Sequence, residues 1–439
     1  MRLKLNKAKQ EINELKQFLL LWFGQSLSRI STAMTSFAIS IWVFQETGNA
    51  LAFSVSALAF LLPDMVVGVF AGPMIDRWNK KFVIVAADIG TGLCILTFFM
   101  LLRGGVLEIW HVFFINLTIG ILSSFQSPAS EVALTSLVPK RHYVRASGLK
   151  SFSYGSADII APILAAIFMN VWGIEGVLLL DVGIMVFACL TLVVFVTIPK
   201  SKVEQSALRI KVYLREIQQG FAIVHRSKLL VRLLVFFAFI NFVAGVTYFN
   251  LLTPMLLMRS GESLTLVSLV KSSMGIGIVV GGLVTVTFTT KKSKINLILL
   301  CTASSFLFGD ILLSLVRQEM WWVIAGFFSS VFIPAITANT MYFWRRIIPI
   351  DLQGRAFAFR NAVGSGTIAL GMLSGGLLSD YVFEPFMSTN RGLLTKILGE
   401  GAGAGMALLF LLTGISGILV CLIGFWGWKM QRCEEELDR

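Results

Sequence analysis

The chain has 439 residues, of which 56% are apolar and 14% charged, and its net charge is +13. A soluble domain carries about a quarter charged residues, so the composition excludes a single water-soluble core of this size. The positive charge does not point to a nucleic-acid partner, because it gathers on one side of a membrane, segment by segment.

A bilayer core about 30 Å thick takes about 20 apolar residues per helix. Long uncharged runs predict an all-α membrane protein of twelve spanning helices, near 17–44, 52–75, 82–102, 109–130, 148–168, 176–198, 229–257, 266–289, 294–316, 320–344, 356–378 and 405–428. With the N-terminus inside, thirty Lys and Arg fall in inner segments and five in outer ones (Arg103, Arg259, Arg317, Arg391, Lys396). That asymmetry places a multi-pass protein in the cell (plasma) membrane with both termini cytoplasmic. The first apolar run is too long for a cleaved signal and lacks a small-residue cleavage site, so it is expected to stay as helix 1.

Along helix 1, Gln25, Arg29, Thr32, Ser36 and Ser40 form one polar stripe at helical spacing. Helix 2 carries Asp64 at mid-depth, just after Pro63. The turn that follows reads AGPMIDRWNKKF. In it Gly72 allows a close helix approach, and Asp76 suits the free N–H groups of a helix N-terminus. Arg77, Lys80 and Lys81 hold the turn inside, and Asn79 suits a left-handed turn conformation. Asp88 and Asp181 lie nearer helix ends. Helix 4 has a second stripe: Asn116, Gly120, Ser123, Ser127 and Glu131. Helix 5 carries ADIIAPILAA, a small-residue face with Asp158 at mid-depth and Pro162.

Segment 199–228 divides six helices from six. Its Ile210, Leu214, Ile217, Phe221 and Val224 recur at helical spacing among basic residues, which predicts an amphipathic helix on the inner leaflet. Helix 7 offers Asn241, Tyr248 and Phe249, and helix 10 offers Asn339 and Tyr342. Asp310 sits toward the outer end of helix 9, where a structural role is expected. The halves align at an offset of 210. Pro139 meets Pro349, Arg145-Ala146 meets Arg355-Ala356, and Ala157, Ala161, Ala165 and Ala166 fall on Thr367, Gly371, Gly375 and Gly376. A duplicated six-helix unit explains this. It gives an N-terminal bundle over 1–198, a cytoplasmic linker over 199–228, and a C-terminal bundle with its tail over 229–439.

The five Cys sit in helices or the inner tail, so no disulfide is expected. The three His form no cluster with metal spacing, and the dipeptide Gly-Lys never occurs. No metal site, cofactor or phosphate-cradling loop is expected, and the chain does not read as an enzyme.

The pattern G-x-x-x-D-R-x-x-K-K over 72–81, between helices 2 and 3 of twelve, resembles that of the major facilitator superfamily, and the resemblance covers the whole chain. Asn79 and Lys80 stand where the family usually has Gly and Arg. A second copy is degenerate, with Val286 and Thr287 for Asp-Arg, although Gly282 and Lys291 persist. The resemblance implies two pseudo-symmetric six-helix bundles. It implies a conformational latch of Gly72, Asp76, Arg77, Lys80, Lys81 and Glu131. It also implies a central cavity lined by helices 1, 4, 7 and 10, to which Gln25, Arg29, Thr32, Ser36, Asn116, Ser123, Asn241, Tyr248, Asn339 and Tyr342 would contribute. Helix 5 resembles the antiporter pattern G-x-x-x-G-P-x-x-G-G with every Gly replaced by Ala. Helix 1 and the stretch SDYVFEPFM resemble the drug-efflux branch that includes macrolide and enterobactin-type exporters.

The expectation is a monomeric, proton-coupled exporter of amphiphilic organic compounds, working by alternating access on the proton gradient. Ionisable groups within spans are costly and default to function. Asp64 or Asp158 is expected to carry the proton, with Arg29 near Asp64. Two other readings fit the same residues: an exporter of a native metabolite such as a siderophore or lipid-like molecule, and a membrane receptor or scaffold.

Overall fold

A computed structural model describes residues 2–139, 142–198, 219–287, 293–389 and 392–426; the side chains of residues 2–15 and of several helical residues, Asp64, Gly72, Asp76, Arg77 and Asp158 included, lie outside that description. Every regular element among the described residues is a helix. The chain opens with α1 (Arg2–Thr47), α2 (Ala50–Arg77), α3 (Lys80–Arg103) and α4 (Ile109–Ser136). The stretch Tyr143–Phe195 breaks at Gly173, whose φ of 67° lies where glycine is favoured. The break yields α5 (143–172) and α6 (174–195). The second half comprises α7 (Lys228–Arg259), α8 (Leu264–Thr287), α9 (Lys294–Leu315) and α10 (Glu319–Ile347). Next, α11 runs through Ile350–Leu378, a π turn at Ser379–Phe383 and Glu384–Thr389, and α12 is Ala404–Trp426.

Ten described segments are long and apolar enough to cross a membrane, and one of them joins α5 to α6. The described apolar part of α2 is the shorter Ala50–Pro63. With these two, the twelve-helix membrane fold is complete. Two further π turns occur, at Thr247–Leu251 in α7 and Phe306–Ile311 in α9.

The chain forms two compact units. One is Met1–Val43 with Ser56–Arg209, and the other is Phe44–Val55 with Ile210–Arg439. The C-terminal end of α1 and the first turns of α2 therefore belong to the second unit, a detail that the division at 199–228 does not contain. In the first unit, Ala161 and Ala165 of α5 pack with Met34 and Ala38 of α1. At the same offset in the second unit, a Cβ on Gly371 of α11 would lie 2.1 Å from the Phe242 carbonyl oxygen of α7. A Cβ on Gly375 would lie 3.0 Å from Val246. The small-residue stripe is thus a helix-packing seam in each unit.

The structure revises one local expectation and adds detail to two others. Asn79 is not left-handed: at φ −68° and ψ 110° it caps α3, accepting the Lys81 N–H at 3.0 Å. In α8 the close approach falls on Gly281, whose Cβ would meet the Val331 carbonyl oxygen at 1.9 Å, while Gly282 has nothing within 4 Å. Of the amphipathic linker, 199–218 lies outside the described residues, and so do Ile210, Leu214 and Ile217. Its last turn is helical, but Val224 is 1% exposed and packs with Leu230, Trp344, Ile348 and Ala356. At that end Val224 rests on protein, while Phe221 is exposed.

Candidate functional site

The polar stripe of α1 opens onto a cavity of about 300 Å³ within the first unit. Gln25, Arg29, Thr32 and Ser36 line it from α1, and Ser123, Ser127 and Glu131 from α4. Residues on successive turns of one helix share a face, so the 25-29-32-36 spacing delivers all four side chains to one wall. Trp22 and Phe60 supply aromatic surface. The wall is pinned from behind. The Trp22 indole N–H donates to the Leu149 carbonyl at 3.0 Å, and the Ser153 hydroxyl to that of Ser26 at 2.7 Å. Ser130 donates to Gln25 Oε1 at 3.3 Å.

Beside this cavity lies a second chamber of about 40 Å³. Ser28, Thr32, Phe60, Ser123 and Gln126 line both spaces. The far wall holds two carboxylates, Asp88 of α3 and Asp181 of α6, which are 2% and 1% exposed. Gln126 Nε2 donates to Asp88 Oδ1, and the Ser31 hydroxyl donates to Asp181 Oδ1. The Oδ2 atom of each has no hydrogen-bond partner among the described residues. Their positions, read from the sequence as near helix ends, are buried because α1, α4 and α6 cover that face of α3. A buried isolated carboxylate is costly enough to be a signal in itself, and that signal was present in the sequence at both positions.

The second unit has its own cavity of about 390 Å³, lined by Asn241, Thr340, Trp344, Arg360 and Asn361 among others. Arg360 stacks over the rings of Trp344 and Phe357, 5.4 and 5.3 Å from their centroids. Of the proposed cavity residues, Asn241 lines this space. Tyr248 does not: its hydroxyl donates to Asp310 Oδ2 at 2.7 Å. Asp310 is 1% exposed, and its role there is to anchor α9 to α7. Asn339 donates to the Ala335 carbonyl of its own helix at 2.7 Å. Tyr342 sits under the ammonium of Lys294, 4.3 Å from the ring centroid. In the first unit, Asn116 turns into α2 and donates to the Ser56 hydroxyl at 2.9 Å. The structure therefore gathers five of the ten cavity candidates in one place: Gln25, Arg29, Thr32, Ser36 and Ser123.

The side chains of Gly72, Asp76 and Arg77 from the latch set, and of Asp64 and Asp158 from the coupling set, lie outside the described residues. Lys80 is buried. Lys81 binds the C-terminal end of α6, donating to the Val193 and Val196 carbonyl oxygens at 2.9 and 2.8 Å. A cation at unsatisfied terminal carbonyls is favoured by the helix dipole. Glu131 faces the first cavity.

Two acids of α11 fasten the second unit. Asp380 accepts the Ala50 and Leu51 N–H groups at 3.2 and 2.8 Å, which are the first free donors of α2. Glu384 accepts the Met406 and Gly403 N–H groups at the start of α12, at 3.0 and 3.3 Å. Nearby, Ser54 donates to Asn250 Oδ1 at 2.7 Å, and Asn250 donates to the Met372 carbonyl at 2.9 Å.

A model of the Major Facilitator Superfamily matches residues 21–318. Macrolide efflux protein A of Streptococcus pyogenes is 28% identical over 383 residues, spanning 83% of this chain and 90% of the relative. A protein of the same name from Enterococcus faecalis is 29% identical over 342 residues, 74% of this chain and 100% of the relative. Among solved structures, the nucleoside transporter NupG superposes with a TM-score of 0.69 at 12% identity, covering 93% of this chain and 100% of that one. That last likeness is one of fold.

Proposed function

The chain belongs to the Major Facilitator Superfamily, and on that premise we propose that it exports amphiphilic organic compounds of the macrolide type in exchange for protons. One observation carries the reading. The α1–α4 cavity combines hydroxyls, an amide and Arg29 with the aromatic surfaces of Trp22 and Phe60, in a chain related to macrolide exporters over most of their length. Such a lining suits a bulky molecule with one apolar and one polar side better than a small anion.

Transport proceeds by alternating access of two six-helix bundles, with the proton gradient as the only energy source. Gln25, Arg29, Thr32, Ser36 and Ser123 contact the substrate. Depth in the sequence nominates Asp64 or Asp158, with Arg29 nearby, for the coupling proton, and the 72–81 turn with Glu131 for the inner latch.

The test is flux in proteoliposomes. A radiolabelled macrolide should accumulate against its gradient when a pH difference is imposed, and a protonophore should abolish that accumulation. No movement of macrolide, or movement indifferent to the pH difference, would overturn the reading. Pumping of a siderophore in place of the macrolide would reassign the substrate.

A further inference from the structure

The small chamber behind the α1–α4 cavity is built around two carboxylates that depth along the helices does not nominate. Resting on the proton-exchange reading above, we infer that Asp88 and Asp181 are the pair that carries the exchanged proton. Three observations lead there.

Each side chain is almost wholly buried, yet each has one satisfied oxygen and one without a hydrogen-bond partner among the described residues. An ionised carboxylate withdrawn from water needs a cation or several donors. Neither acid has a salt-bridge partner among the described residues. Both acids border a chamber of about 40 Å³, room for about one water molecule. Finally, the partition between chamber and cavity consists of Ser28, Thr32, Phe60, Ser123 and Gln126. Four of these five can pass or hold a hydrogen bond, and Gln126 reaches Asp88 itself.

The groups that face the pair are few. Gln25, Ser31 and Thr35 come from α1, Gln126 from α4, and the Cys189 thiol from α6, with Gln25, Gln126 and Cys189 beside Asp88. Arg29 and Glu131 are the charged groups of the adjoining cavity. Asp64 of α2 and Asp158 of α5 have side chains outside the described residues.

In the cycle, a proton from the outer side adds to a carboxylate oxygen of the pair while the cavity is empty. It leaves toward the inner side as substrate enters. Proton and substrate exclude one another through the shared partition, which is the condition for exchange rather than cotransport.

The experiment uses the full chain in proteoliposomes, with D88N and D181N beside the unchanged protein. Two readouts are taken: macrolide accumulation driven by a pH difference, and exchange of labelled for unlabelled macrolide at equal pH. The expected result is that accumulation falls more than about tenfold in at least one variant while exchange stays within about twofold. A merely structural role would lower both together. A second measurement needs no variant: an apolar carbodiimide, which modifies protonated buried carboxyl groups, is applied to the unchanged protein with and without macrolide. Label on Asp88 or Asp181 that macrolide suppresses supports the assignment.

Three results overturn it: accumulation retained in both variants, parallel loss of both activities, or macrolide-sensitive label confined to Asp64 or Asp158. Absence of pH-driven flux in the unchanged protein is a different failure, which removes the exchange reading itself.

Discussion

The two units derive from one pattern at an offset of 210 residues, and they use their buried polar groups in opposite ways. In the first unit, Asp88 and Asp181 sit on uninterrupted α-helical turns beside an open, hydroxyl-rich cavity. In the second, Tyr248, Asn250, Asp310 and Asp380 all fall within π turns, and each is bonded to a neighbour within the unit. A π turn inserts one residue and swings the following side chains around the helix. Here the swing aims polar groups at each other instead of at a cavity. The lesson is that a buried acid earns a functional reading from its surroundings. Room beside a substrate-sized space argues for chemistry; an unsatisfied oxygen alone does not, because Asp310 Oδ1 also has no hydrogen-bond partner among the described residues. A tyrosine hydroxyl at 2.7 Å argues for fastening.

The packing seams differ as well, and they yield the largest predicted effect. Gly371→Ala would drive a Cβ to 2.1 Å from the Phe242 carbonyl oxygen, and overpacking against backbone should cost about 3 kcal/mol, the top of the usual range. The reciprocal change, Ala161→Gly, should cost only about 1 kcal/mol. Thermal unfolding of the two variants in detergent checks the contrast, and equal losses would mean that the seams are equivalent after all.

Next comes Tyr248→Phe, which leaves both Asp310 oxygens without partners at a cost of about 1–3 kcal/mol. Its midpoint should fall while pH-driven accumulation per folded molecule is unchanged. Loss of coupling would break the contrast by giving the second unit a proton carrier too. The smallest effect is expected for Asp380→Ala, which removes the cap of α2 and costs about 0.5–2 kcal/mol. A cysteine placed at Leu51 should then react faster with a membrane-impermeant thiol reagent, and an unchanged rate would deny Asp380 its fastening role.

Most of the architecture was legible because bilayer thickness imposes helix length. The α1 stripe was legible for the same kind of reason: a period of 3.6 survives in a regular helix. Tyr248 was misleading as a cavity residue because it lies within a π turn, where that period fails. Asn116 shows a different limit. Periodicity identifies a face, but only packing decides that this face meets Ser56 of α2. Asp88 and Asp181 were passed over because depth was counted from helix ends, whereas burial depends on which helices lie across. The first helical turn of the capped α3 and the tight turn before it came close to the sequence reading, differing in the backbone conformation of Asn79.

The grip of Asp380 on α2 is made through main-chain N–H groups at positions 50 and 51. Every amino acid but proline offers that donor. The clasp itself thus puts no demand on the side chain at either site, where packing alone limits substitution (Ala50 is fully buried), and no compensating change at 380 would be selected. A search for paired substitutions across related chains would pass over this joint, although it ties residues 330 and 329 positions apart.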